Sequence, residues 1–351
     1  MDEKQFVILT VLKALNGERS IYGAYHLLQG KRSVQTIQDG TIFNMSGYFG
    51  ILPLSREQFL NEVKKLVAYK YLEWHEKERV QVTNLGMRMY EHNLENYRFI
   101  HDFNGWKYDK WTEIVWLRLV LYVQTLSFLL EKESRFYPLT QQKSIQKWVK
   151  SHIPKNELAQ KEQFTSLHHE LLTILEDCVK KQALAFSLQL SSKHQIGLTK
   201  KQIAHRIDGT EDTVALLHKS VMHKICERAQ CSETFPILNY LLDGVNTQAP
   251  LTESARKTYQ LLQKGISLEE IQDRRQLKIS TIEDHIVEIA HSDLSFQYRS
   301  FVSEEIEQKI FDCVNQLKTT KLRLIKNRLG DEYSYFIIRL VMAKRKVQNG
   351  L

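Results

Sequence analysis

Residues 251–290, LTESARKTYQLLQKGISLEEIQDRRQLKISTIEDHIVEIA, narrow the choice of fold more than any other stretch, because capping residues, apolar spacing and turn chemistry coincide there. Thr252 is placed to cap a first helix whose Ala255, Tyr259 and Leu262 share a face, and Gly265 follows as a left-handed stop. Ser267 with Glu270 reads as a capping box opening a short second helix, with Leu268 and Ile271 inward. Ser280 with Glu283 reads as another box, opening a third helix with Ile282, Ile286 and Ile289 inward. Three short helices joined by tight turns form a helix-turn-helix unit.

The third helix argues against groove reading by this unit. It carries Glu283, Asp284 and Glu288, with no Lys or Arg from 280 to 290. Each carboxylate set beside phosphates costs on the order of 1 kcal/mol even in high dielectric. The expectation is therefore that these three acids dock onto a protein partner.

At 351 residues the chain exceeds one ordinary core. Recurrent helical periodicity with few Gly and Pro predicts a mainly α protein. The expected division is a winged-helix-like domain over 1–99, a helical domain over 100–249 and a C-terminal helix-turn-helix domain over 250–351. Net charge is +8 and unevenly placed. Residues 318–346 hold nine cations (Lys318, Lys321, Arg323, Lys326, Arg328, Arg339, Lys344, Arg345, Lys346) against Asp331 and Glu332, a net +7. Such a block is the expected footprint of a polyphosphate-binding surface; a solvated basic helix is the plain alternative.

Met1 is followed by Asp2, Glu3 and Lys4 rather than by a signal-peptide pattern, so a cytoplasmic location is expected. The longest apolar run, residues 114–130, is interrupted by Arg118 and three polar residues and reads as a core helix. Four cysteines, Cys178, Cys226, Cys231 and Cys313, without a CxxC pair read as reduced, buried thiols.

Along the chain, residues 2–16 form a helix stopped by Gly17, a second runs from Ser20 to Gly30, and Ser55 with Gln58 opens a third as a capping box. Two β-prone runs, 71–74 and 80–83, follow, with a new helix near Asn84. This is winged-helix order, with a long insertion over 30–54. There, Gly30, Lys31, Arg32 and Ser33 suggest a basic loop or an anion-binding nest. Trp106, Trp111, Trp116 and Trp148 read as core anchors. Residues 198–227 repeat a helix-turn-helix pattern, with Thr199 and Thr210 as caps and His218, Lys219, His223 and Lys224 offered to phosphate. Toward the end, Thr319 or Thr320 caps a helix projecting Lys321, Arg323, Lys326 and Arg328. In the last helix Tyr335, Arg339, Met342 and Lys346 share a face suited to single-strand stacking and backbone neutralisation.

Residues 280–286 (STIEDHI) and 320–343 (TKLRLIKNRLGDEYSYFIIRLVMA) resemble the helix-turn-helix module at the C-terminus of many RecQ-type helicases. The whole chain, including residues 27–39 (LLQGKRSVQTIQD), resembles the YpbB family of Firmicutes, helix-turn-helix proteins encoded beside a short RecQ-type helicase. The resemblance implies a DNA-metabolism protein with DNA and the helicase as partners and no catalytic residue to carry over. Gln272 and Gln276 depart from the Ala and Gly usual at a tight helix-turn-helix crossing.

No GxxxxGK[ST], GxGxxG or GxSxG occurs, so nucleotide hydrolysis and a cofactor are not expected. His218, His223, Cys226 and Cys231 do not converge on one helical face, and a metal site there is not favoured. His101 with Asp102, and His168 and His169 with Glu170, lack partners in an order that would make a metal site. Three readings compete: a non-enzymatic DNA-binding accessory protein working with a RecQ-type helicase in repair or recombination, a scaffold docking onto that helicase, and a winged-helix transcriptional regulator.

Overall fold

Short-range polar signals start many of the helices. Ser33, Ser55, Thr83, Asn104, Asn156, Thr199, Thr210, Thr252 and Ser267 each accept a backbone N–H from the following turn. At Ser55 and Thr199 a glutamine three residues on completes the box. The computed structural model describes residues 1–76, 78–245, 251–293, 295–317 and 319–348, with the backbone alone for 345–348. It is mainly helical, with one two-stranded sheet among the described residues.

Two compact units share the chain. One comprises Met1–Thr10, Gly50–Leu72 and Thr83–Thr247; the other comprises Val11–Phe49, Glu73–Val82 and Gln248–Leu351. The units draw on separated segments, whereas the three expected domains are consecutive.

The chain begins with helices α1 (Glu3–Leu15), α2 (Ile21–Gln29), α3 (Val34–Ile42) and α4 (Arg56–Ala68), then hairpin strands β1 (Leu72–Glu76) and β2 (Arg79–Val82), then α5 (Asn84–Asn93). Helix α3 fills part of the insertion expected over 30–54, and residues 31–33 form the short link before it. Gly30 is left-handed (φ +76) and donates its N–H to the Leu27 carbonyl, while the Lys31 N–H goes to His26 and the Ser33 N–H to Lys31. Three of the amides that would form an anion nest, those of Gly30, Lys31 and Ser33, are thus engaged in ending α2 and turning into α3. Lys31 is exposed, but Arg32 lies over the Phe49 ring, 5.5 Å from its centre.

The first unit is built around α6 (Gly105–Leu130). Its Tyr108, Trp111, Val115, Leu119, Tyr122 and Leu126 are buried in one core with residues of α7 (Lys143–His152), α8 (Glu157–Glu176), α9 (Lys180–Ser187), α11 (Glu211–Arg228) and α12 (Pro236–Tyr240). Helix α10 (Lys200–Arg206) precedes α11 across a turn at Gly209. By length and composition α6 is apolar enough to cross a membrane, yet its Arg118 is committed inside this unit. The guanidinium donates to the Leu241 and Asp243 carbonyls at 2.6 and 2.7 Å and lies 4.6 Å from the Trp148 ring centre. That is the behaviour of a core helix.

The second unit contains α13 (Glu253–Leu262), α14 (Leu268–Arg275), α15 (Ile279–Ser292), α16 (Glu304–Leu317), α17 (Leu322–Leu329) and α18 (Tyr335–Gln348). Helices α15 and α18 pack together, and α3 packs on both. Ile271, Ile282, Ile286, Ile310, Ile325, Ile338 and Leu340 are all fully buried in this core, which also takes Ile42 from α3.

Candidate nucleic-acid interface

The helix-turn-helix is assembled by a polar clamp as well as by aliphatic packing. Thr252 caps α13, and its N–H and hydroxyl both donate to the Glu288 carboxylate on α15. Arg275, at the end of α14, donates to the Ser254 carbonyl (2.7 Å), the Ser254 hydroxyl (3.0 Å) and the Thr258 hydroxyl. Thr258 in turn meets His285 Nδ1 on α15 at 2.8 Å, in a buried position. Burial, with Arg275 nearby, pushes the His285 pKa down and keeps the ring neutral. The turn between α14 and α15 is made by Gln276 in the left-handed conformation (φ +51), a position that usually takes Gly. Gln276 is exposed and Gln272 half-buried, so neither side chain crowds the crossing.

Several sequence expectations change here. Ser280 does not cap the third helix: α15 starts at Ile279 behind Lys278, with no side-chain cap. Glu288 is 3% exposed and closes on Thr252, so it is an internal cap rather than a partner-docking acid. Asp284 is held by Arg339 of α18 at 2.7 Å. Glu283 is half-buried, and desolvation followed by repulsion from Asp284 raises its pKa against the pull of Arg339. From His285 to Ala290 every residue is buried. Helix α15 therefore presents to solvent mainly its first turn, with Lys278, Ile279 and Ser280 exposed.

The basic block is likewise divided by the fold. Lys344 is 5% exposed; its ammonium donates to the Asp293 carbonyl at 2.9 Å and lies 5.6 Å from the Tyr298 ring centre. Desolvation lowers its pKa, partly offset by Asp293. Arg339 is committed to Asp284, and Met342 is in the core, so the expected Tyr335, Arg339, Met342, Lys346 stripe is not an open face. Lys326 is half-buried and reaches Asp331 at 3.3 Å and the Gly330 carbonyl at 3.0 Å. Lys321, half-buried, stands at the N-cap of α17; Thr319 accepts its N–H, and Thr320 instead bonds Glu18 at 2.7 Å. Arg323 and Arg328 are exposed on α17, and Tyr335, at 46%, is exposed at the start of α18. Lys318, and the side chains of Arg345 and Lys346, lie outside the described residues.

The second helix-turn-helix pattern, α10 with α11, is also corrected. His223 is fully buried, with Nδ1 accepting the Asn104 N–H at 3.0 Å, and burial drives its pKa down to about 3. His218 packs against Trp116 and Phe186 and is pushed down to about 3 by the same cause. Lys224 bridges Asp177 (2.8 Å) and Asp102 (3.3 Å), and Lys219 donates to the Gly50 carbonyl at 2.8 Å. These residues hold the first unit together and are not available to phosphate. Of the cysteines expected to be buried, Cys178, Cys226 and Cys313 are, whereas Cys231, beyond the end of α11, is exposed.

Three helices clamped in this way, with a left-handed turn between α14 and α15, define a helix-turn-helix protein. In agreement, residues 254–342 match a family model described as a helix-turn-helix domain, which suggests DNA binding. The chain is 33% identical over 345 residues to "Protein YpbB" of Bacillus subtilis (strain 168), covering 97% of each. It belongs to the YpbB family. No solved structure matches.

Proposed function

We propose that the protein is a non-enzymatic, cytoplasmic DNA-binding accessory factor that works with a RecQ-type helicase in DNA repair or recombination. The observation that carries this reading is the helix-turn-helix match over residues 254–342, on which α17 leaves Arg323 and Arg328 exposed, with the exposed ring of Tyr335 on α18. Exposed guanidinium groups neutralise phosphates, and an exposed aromatic ring stacks on an unpaired base. The helicase enters through the resemblance of residues 280–286 and 320–343 to the C-terminal module of RecQ-type helicases.

The test is a titration of single-stranded, duplex and forked DNA at two salt concentrations, with and without the neighbouring helicase. R323A/R328A is expected to weaken binding and to reduce the salt slope by about 1.5, at roughly 0.7 to 0.9 per phosphate contact. An unchanged slope sinks the DNA part of the proposal; absence of a complex with the helicase sinks the partnership.

A second reading, a regulator using the N-terminal segment, rests on α4. Its Phe59, Val63 and Leu66 face inward, while Arg56, Gln58, Asn61 and Lys64 are exposed beside Glu57, and Lys65 is paired with Glu62 at 3.0 Å; the exposed amides and cations are of the kind that meets base edges and phosphates. It requires sequence-specific duplex binding, so equal affinity across random duplexes removes it.

A further inference from the structure

From the geometry of the first unit we infer a second nucleic-acid surface, formed by α7 and the segment leading into it, that holds a single strand. This deepens the DNA-binding reading and rests on it, but its residues are separate from those of α17. Residues 134–156 contain five cations (Arg135, Lys143, Lys147, Lys150, Lys155) and, between Glu133 and Glu157, no acid.

Helix α7 sorts them sharply. Ile145, Trp148 and Val149 enter the core, whereas Lys143, Lys147 and Lys150, at offsets of 4 and 7, stand on the outer face and are exposed. None of the five cations meets a carboxylate within 4 Å among the described residues. The flanking acids are engaged: Glu133 with Lys193, Glu157 with Lys132 at 4.0 Å, and Asp243 beside His152 at 3.5 Å.

Tyr137 supplies the feature that selects the ligand. Its side chain is 94% exposed, yet its backbone is pinned, because Gln124 of α6 donates to the Tyr137 carbonyl at 3.1 Å and accepts the Leu139 N–H at 3.0 Å. Phe136 beside it packs on Phe128 with ring centres 4.8 Å apart, and Gln146 of α7 ties the Thr140 carbonyl at 2.9 Å. The ring thus projects from a fixed base in the segment that leads to the first lysine. At the other end of α7, the exposed Tyr240 lies 6.3 Å from the His152 ring. A row of unpaired ammonium groups bracketed by exposed aromatic rings is complementary to a phosphate backbone with unstacked bases. The remaining exposed positions of α7 and of the residues just before it are Ser144, Ser151, Gln141 and Gln142, with Leu139 the one exposed aliphatic side chain, a polar balance that favours nucleic acid over a lipid surface.

The experiment uses the full chain, a labelled oligo-dT, a duplex of equal length and vesicles containing phosphatidylserine. K143A/K147A/K150A is expected to weaken oligo-dT binding at least tenfold and to lower the salt slope by about 2, at roughly 0.7 per contact. Y137A is expected to weaken oligo-dT binding about tenfold with the slope and duplex affinity unchanged, and Y137W to restore it. Far-UV circular dichroism checks that these exposed positions leave the fold intact. Wild-type affinity and slope in the triple variant overturn the inference, as does binding to vesicles without binding to oligo-dT. If R323A/R328A weakens binding and the α7 variants do not, the α17 reading stands and this one falls; if only the α7 variants weaken it, α7 is the DNA surface and the α17 reading falls.

Discussion

Two cationic stretches of this chain look alike in sequence and are used differently by the fold. Residues 318–346 carry the larger net charge, but Arg339 is bound to Asp284, Lys344 is buried on the Asp293 carbonyl, and Lys326 reaches Asp331. Residues 134–156 carry fewer cations, none tied to a carboxylate among the described residues, and three of them share one outward face of α7. A sequence sums charge, whereas a ligand meets only the charge that the fold has not already neutralised.

The sharpest way to break this comparison is to remove the partners of the engaged residues. Glu288→Ala strips the carboxylate from the Thr252 amide and hydroxyl in a buried site, and should cost about 3 kcal/mol in urea unfolding; a loss under about 1 kcal/mol shows that Glu288 is not the cap described. Acid should have a comparable effect on the first unit. The unfolded His218 and His223 take a proton near pH 6.5, but the half-buried His218 and the buried His223, packed against aromatic rings, do so only at about 3. Between those values the unfolded chain holds more protons, so stability falls as the pH drops below 6.5, by up to about 1.4 kcal/mol per histidine per pH unit. Thermal melts from about pH 7.5 to 5 check this, and His218→Phe should flatten the dependence.

Next in size is the ion pair. Asp284→Ala leaves the half-buried Arg339 without its carboxylate and should cost about 2 kcal/mol, and Arg339→Met added to it should recover most of that loss. Equal stability of the single and double variants would mean that Arg339 is not held by Asp284 after all. Gln276→Gly should gain about 1 kcal/mol by relieving the left-handed backbone, with DNA affinity unchanged. The smallest effect marks the other side of the comparison: Lys147→Ala should move stability by less than about 0.5 kcal/mol, since that lysine is exposed and makes no ion pair among the described residues.

Much of the fold is legible in short-range signals. Thr252, Ser267, Ser55 with Gln58, Thr199, and the left-handed Gly30 and Gly265 stand where the sequence places them, because a cap satisfies amides within its own turn. Helix α3 is not legible in that way, because its packing on α15 and α18 joins residues far apart in the chain, and its Thr36, Gln38 and Asp39 are buried polar groups that break the apolar pattern. Asp39 is tolerated there by its pair with Arg19 at 2.9 Å. The candidate site is less legible. Arg323, Arg328 and Tyr335 are exposed as expected, whereas the cations of α7 stand out only once their exposure and their lack of carboxylate partners are seen.

Caps, turns and apolar spacing act over a few residues, and for that reason the amino-acid order is enough to make the chain helical, to start many of its helices and to write the helix-turn-helix pattern. Which charged groups are left for a ligand is a matter of long-range packing. Glu288, Asp284, Arg339, Lys344 and His223 each meet a partner distant in the chain, and a buried polar group must take such a partner or lose its hydration uncompensated.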